Sequence, residues 1–150
     1  MKKLIAMSLV VALVLSFGLM PASIVAADGK AAPKVTGDVW LTPPGGVPIH
    51  IWFVAQEAYA GRPVKGEFHQ EFWPGGSYYC LNGYVTEAHI YSGYADFATY
   101  IYDVGQTLYV HVHDGGEPGI GVDTVDGGFN PDYASYGGWP IYEGNLVVHN

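Results

Sequence analysis

The chain has 150 residues, and its 14 Asp and Glu outnumber its 6 Lys and Arg, which gives a formal net charge of −8. So few basic residues leave no cationic surface to displace the counterions of phosphates, which argues against nucleic acid and anionic membrane as partners. The length suits a single domain with one buried core.

The N-terminus is predicted to be a secretory signal. The basic start MKK precedes the uncharged apolar run LIAMSLVVALVLSFGLM, and Val25 and Ala27 fit the positions before a cleavage site. We therefore predict a signal peptide over residues 1–27, a flexible tether over residues 28–34 and one domain over residues 35–150. A retained membrane anchor is the alternative, because the apolar run approaches the length of a span.

Cleavage would leave a secreted or cell-surface chain that does not insert in a membrane. It would carry four basic residues against fourteen acidic ones, a formal net charge of −10. Cys80 is the single cysteine, so no disulfide can form within the chain; its apolar setting favours a buried, inert thiol over a disulfide between chains.

The rest of the chain is predicted to be all-β. Apolar and polar residues alternate in short runs separated by Gly and Pro, which is typical of an antiparallel sandwich or a small barrel, and these two architectures stay open. In the second run Trp52 shares a face with Val54 and is predicted to belong to the core. About eight strands are expected: KVTGDVWL, VPIHIWFVAQ, VKGEFHQEFW, SYYCLNGYV, EAHIYSG, DFATYIYDV, TLYVHVHD and GNLVVH.

The strand TLYVHVHD places two histidines on one face. Side chains alternate along a strand, so His111 and His113 point the same way and could hold one metal ion, while the intervening aliphatic residues face the core. Two exposed histidines on a solvated face are the alternative interpretation.

The spacing from Gly105 through these histidines also resembles the first metal-binding motif of the cupins up to its acid. The chain departs from that motif at Thr124, where a glycine is expected, and it lacks the second cupin motif. The resemblance implies a metalloenzyme with Zn²⁺, Mn²⁺ or Fe²⁺. Its candidate ligands are His111, His113 and Glu117, with His69 or His149 as a distant third histidine.

The acidic stretch that follows, DGGEPGIGVD, is a candidate calcium loop. Calcium binds six to eight oxygens from carboxylates, carbonyls and water, and the glycines let the backbone curl around such an ion. The predicted ligands are Asp114, Glu117, Asp123 and Asp126. An acidic turn without an ion is the alternative, because Asp, Gly and Pro are ordinary turn residues.

The segment from Asp126 to Glu143 is rich in Gly, Pro and aromatic residues, and we expect a long loop without a strand. Loops of this length usually bind something or cover an edge. Because Tyr and Trp dominate binding surfaces, the predicted contacts to a carbohydrate or protein ligand are Tyr133, Tyr136, Trp139 and Tyr142.

Several of these segments together resemble the small secreted prokaryotic domains of the post-COAP type, which carry D-x-G-E-P-G and end in G-N-x-x-x-H. The resemblance implies an all-β extracellular domain, often appended to larger surface or secreted proteins, without an established activity. The matching segments are Val64–Phe68, Cys80–Leu81, Tyr91–Gly93, Asp114–Gly119 with Asp123, and Gly144–His149.

Three functions follow as hypotheses. The first is a non-enzymatic binding or surface module with a structural Ca²⁺ ion, since the sequence has no G-x-S-x-G, phosphate-loop or H-E-x-x-H motif. The second is the cupin-like metalloenzyme. The third is a self-associating surface or filament subunit, suggested by low charge, abundant tyrosine and a strand at the C-terminus.

Overall fold

The computed structural model describes residues 31–133 and 138–149, so the predicted signal peptide lies outside the described residues. It contains eight strands and two 3-10 helices of three residues, Pro74–Gly76 and Pro131–Tyr133. Neither helix is long and apolar enough to cross a membrane. The strands are β1 (Lys34–Leu41), β2 (Ile49–Gln56), β3 (Lys65–Phe72), β4 (Tyr79–Tyr91), β5 (Tyr94–Ile101), β6 (Gln106–His113), β7 (Thr124–Gly128) and β8 (Trp139–His149).

The strands form a closed antiparallel barrel. Each strand pairs with the next, and β8 returns to pair with β1 along its whole length, from Lys34 opposite His149 to Leu41 opposite Ile141. The all-β prediction is confirmed, and of the two architectures left open the barrel is the one that forms.

Connections between antiparallel strands alternate between the two ends of the barrel. The β1–β2, β3–β4, β5–β6 and β7–β8 connections lie at one end, called here the mouth end. The β2–β3, β4–β5 and β6–β7 connections lie at the other, called the terminal end because β1 begins and β8 finishes there.

Inward-facing side chains fill the barrel. Phe53 is fully buried, with its ring centroid 5.1 Å from that of Phe97, and the ring centroid of Phe68 lies 6.5 Å from that of Phe97. An eight-stranded barrel is just wide enough for side chains to fill, and these aromatic rings pack with aliphatic side chains from the other strands in one core.

The prediction that Trp52 belongs to the core is wrong. Ile51, Phe53 and Ala55 point inward, whereas Trp52 lies on the outer face and is 38% exposed. Both alternating sets of side chains in IWFVA are apolar, so the local pattern could not decide which set faces the core.

The expectation of a continuous loop over residues 126–143 is wrong at both ends. Strand β7 extends to Gly128, and β8 begins at Trp139. A Cβ at Gly127 would be only 3.2 Å from the Tyr109 carbonyl oxygen, which shows that β7 lies close to β6 here.

The two predicted strands SYYCLNGYV and EAHIYSG are one strand, β4, whose pairing with β5 shifts register between Val85 and Glu87.

Candidate functional site

The acidic loop between β6 and β7 lies at the terminal end and is fastened to the barrel by Asp114. Its Oδ1 accepts a hydrogen bond from the Gly116 amide at 3.0 Å, and its Oδ2 accepts one from the Val148 amide in β8 at 2.9 Å. The Asp114 amide donates to the Gly93 carbonyl in the β4–β5 turn at 2.9 Å. One residue thus joins the loop to two other parts of the barrel.

Asp123 is the buried acid of this loop. The residue has no exposed surface, and its Oδ1 accepts a hydrogen bond from the Gly115 amide at 2.9 Å. The other oxygen, Oδ2, is buried without a hydrogen-bond partner among the described residues. Burial raises the pKa of Asp123, and the negative charges of Asp114 and Glu117 add to the rise, whereas the backbone amides of Gly115 and Leu146 oppose it.

Two further oxygen-bearing side chains meet Asp123 around Gly119. A Cβ on Gly119 would lie 2.7 Å from Asp123 Oδ2 and 2.6 Å from Asn145 Oδ1, so only glycine leaves both oxygens their space. The Asn145 amide nitrogen in turn donates to Glu117 Oε1 at 3.1 Å. Asn145 comes from β8, and nothing in its local sequence pointed to this role.

Three of the four predicted calcium ligands, Asp114, Glu117 and Asp123, lie in this loop, where both Asp114 oxygens accept hydrogen bonds from backbone amides. Asp126 lies apart from them, in β7 opposite His111, where its Oδ1 accepts a hydrogen bond from the Gly127 amide at 2.8 Å. Among residues 31–133 and 138–149 there is no group of three or more His, Cys, Asp or Glu side chains arranged to hold a metal ion. Asn side chains and backbone carbonyls, which Ca²⁺ also accepts, are outside that set.

The histidines of β6 point outward, as their alternation predicts, while the aliphatic residues between them are buried. His111 Nδ1 is hydrogen-bonded to Asp96 Oδ1, and the His113 ring stacks on Tyr94 with centroids 4.3 Å apart. Glu117, their proposed third ligand, is bonded to Asn145. The cupin-like site stays a prediction.

His111 also belongs to a row of polar residues that crosses four strands. The pairing register aligns His89, Asp96, His111 and Asp126 across β4 to β7, so imidazoles and carboxylates alternate along the row, which ends at the buried Asp126. Glu87 extends the row, with Oε1 2.9 Å from His89 Nε2. A cleft of about 330 Å³ lies beside it. The row depends on the register between distant segments, which no local sequence pattern reveals.

A second polar network crosses β2, β3 and β4 near the mouth end and was also missed. His69 Nδ1 is 2.6 Å from Asn82 Oδ1, and His69 Nε2 is 3.1 Å from Glu71 Oε1, which also accepts a hydrogen bond from the Tyr78 hydroxyl. The hydrogen bond between His69 and Glu71 raises the pKa of His69. The hydrogen bond that the Tyr78 hydroxyl donates to Glu71 raises the pKa of Tyr78 to about 12. His69, the predicted distant metal ligand, is thus held by other partners.

Two of the four aromatic residues predicted to contact a ligand, Trp139 and Tyr142, have described side chains, and these lie in different environments. Trp139 lines a cavity of about 210 Å³ inside the mouth end, with Ile49, Leu81 and Phe129 among its neighbours. Tyr142 is exposed on β8. Tyr133 is the last residue of the second 3-10 helix, and Tyr136 lies outside the described residues.

Comparisons of the chain with protein-family models, with curated proteins and with solved structures find no match. The class of protein is therefore defined by its fold, a closed eight-stranded antiparallel barrel, and by the acidic loop at its terminal end.

Proposed function

We propose that the chain is a secreted, non-enzymatic β-barrel module that binds one structural Ca²⁺ ion in its acidic loop. The observation that carries the proposal is Asp123 Oδ2, a carboxylate oxygen buried without a hydrogen-bond partner among the described residues. The post-COAP resemblance supports an extracellular setting, and the apolar N-terminus supports secretion.

A buried carboxylate needs a proton or a cation, because an isolated charge is costly to hold away from water. Asp114 and Glu117 make the surroundings of Asp123 more negative, which favours a cation. Calcium suits the donors that are present, since Asp123, Asn145 and Glu117 supply carboxylate and amide oxygens around a flexible glycine backbone.

The ion would link the β6–β7 loop to β8 at the terminal end. Glu117 and Asp123 belong to the β6–β7 loop, whereas Asn145 belongs to β8, the strand that closes the barrel against β1. An ion shared by these residues would stabilise the closed barrel and would have no part in a reaction.

The test is thermal unfolding of the protein in Ca²⁺ and in EDTA. A ligand that binds only the folded state stabilises it by about 2.7 kcal/mol at a hundred times its dissociation constant, so Ca²⁺ should raise the melting temperature clearly. Asp123→Asn should abolish most of that rise. Asp132→Asn is the matched control, because Asp132 is exposed in the 3-10 helix outside the loop. An equal calcium response in parent and Asp123→Asn would refute the ion site.

The pH dependence in EDTA separates a proton from an ion. Because the folded-state pKa of Asp123 is raised, its protonation contributes stability that is complete below the unfolded pKa of about 3.9 and is lost as pH rises through the folded pKa. Asp123→Asn should remove this loss. A parent that gains nothing from Ca²⁺ while Asp123→Asn is more stable at neutral pH would identify a protonated acid and contradict the proposal.

A further inference from the structure

The outer face of β2, β3 and β4 carries a groove that none of the sequence motifs pointed to. Its volume is about 450 Å³, within the range of small-molecule sites. It is called here the aromatic groove, and the side chains that define it are Trp52, Glu67, His69, Asn82, Tyr84 and Tyr102.

Three large aromatic side chains of the groove are exposed. Trp52 is 38% exposed, Tyr84 44% and Tyr102 61%, and the rings of Tyr84 and Tyr102 lie 5.5 Å apart. Tyr and Trp are enriched where one side of a ring must contact a ligand and the other stays near water.

Polar side chains also line the groove, and their hydrogen bonds to neighbouring residues orient them. Asn82 Oδ1 is 2.6 Å from His69 Nδ1, and Asn82 Nδ2 donates to Asp103 Oδ2 at 3.4 Å. Hydrogen-bonding groups fixed by their neighbours lose little conformational entropy when a ligand binds.

We propose that the aromatic groove binds a neutral oligosaccharide. A pyranose ring has a face of C–H groups, which packs on an aromatic ring, and an edge of hydroxyls, which hydrogen-bond to carboxylate and amide groups; the groove presents aromatic rings together with the Glu67 carboxylate and the Asn82 amide. The charge of the chain favours an uncharged sugar, because the groove contains Glu67 and no Lys or Arg among its described lining residues. The inference rests on the proposed role as a secreted binding module and names its ligand class.

The experiment is calorimetric titration of the protein with hexasaccharides of β-1,4-linked and of α-1,4-linked glucose. We expect at least one to bind, and we expect Trp52→Ala and Tyr102→Ala each to weaken that binding by about tenfold or more without lowering the melting temperature much. Trp52→Phe should restore part of the affinity. Tyr91→Ala is the matched control, because Tyr91 is 54% exposed at the terminal end of β4, outside the groove.

Titrations in Ca²⁺ and in EDTA keep this proposal separate from the calcium proposal. If sugar binding persists in EDTA and Ca²⁺ does not stabilise the protein, only the calcium proposal fails. The groove proposal is overturned if neither sugar binds at millimolar concentration, or if Trp52→Ala binds as well as the parent. Concentration-dependent sedimentation that Trp52→Ala abolishes, without sugar binding, would assign the face to self-association instead.

Discussion

On the outer face of this barrel, a single carboxylate can hydrogen-bond to several neighbouring rings. Glu71 is the clearest case, since its Oε1 contacts both His69 and the Tyr78 hydroxyl, while its Oε2 is 3.6 Å from His50 Nδ1. The hydrogen bond with His69, followed by that from Tyr78, lowers the pKa of Glu71. One negative charge thus sets the titration of two neighbouring rings.

We predict that Glu71→Gln lowers the pKa of His69 towards its ordinary value of 6.5 and that of Tyr78 from about 12 towards 10. The stability that protonated His69 contributes is present below pH 6.5 and is lost as pH rises through its raised pKa, so the variant should show a flatter stability profile above pH 6.5. NMR titration of the ring protons measures both pKa values.

Glu67→Gln is the control for this prediction, because Glu67 lies two residues away on the same outer face of β3. It should leave the His69 titration nearly unchanged. If His69 titrates at the same pH in the parent and in Glu71→Gln, the carboxylate does not control it.

The last strand closes the barrel through an irregular segment. The β1–β8 register shifts between Trp40 and Leu41, and Gly144 faces Val39 next to this shift. Gly144 has φ of 95°, and a Cβ there would lie 2.0 Å from the Asp38 carbonyl oxygen. Both conformation and close backbone approach therefore require glycine at this position.

We predict that Gly144→Ala destabilises the barrel by roughly 3 kcal/mol or more, because the substitution adds a backbone clash to the strain of a positive φ. Gly46→Ala is matched in conformation, with φ of 77°, but nothing lies within 4 Å of its Cβ position. It should cost only about 1 kcal/mol. Urea unfolding of both variants measures the difference, and equal losses would show that the close approach to Asp38 is not limiting.

Elements with regular alternation could be predicted, and the irregular ones could not. Strand β1 spans the residues that KVTGDVWL predicts, because its inward and outward side chains differ clearly in character. Strand β7 contains Gly127 and Gly128, whose missing side chains erase the alternation. Their extended conformation comes from pairing with β6, which is a tertiary contact.

The whole molecule depends on one packed interior. Phe53 is fully buried, and its ring lies so close to Gly37 that a Cβ there would be 2.5 Å from Phe53 Cζ. The absence of a side chain at Gly37 leaves room for the Phe53 ring, which packs against Phe97.

We predict that Phe53→Ala costs about 3–5 kcal/mol of unfolding free energy, a large part of the stability of a domain of this size. Trp52→Ala changes the adjacent residue on the opposite face and should cost about 1 kcal/mol or less, since Trp52 is partly exposed. Chemical denaturation of the two variants provides the comparison. A larger loss for Trp52→Ala would mean that packing on the outer face contributes more to stability than the Phe53 ring in the interior.

The sequence by itself determined the all-β class, the outward histidines of β6 and the acidic composition of the loop from Asp114 to Asp123. Each of these features depends only on residues that are neighbours in the chain. Tertiary structure decided that β8 closes on β1, that Asn145 joins Asp123 and Glu117, and that Trp52, His69 and Asn82 form one row. These features depend on the register between segments far apart in the chain. Strand alternation fixes the face on which a side chain lies, and only the pairing of strands fixes its neighbours.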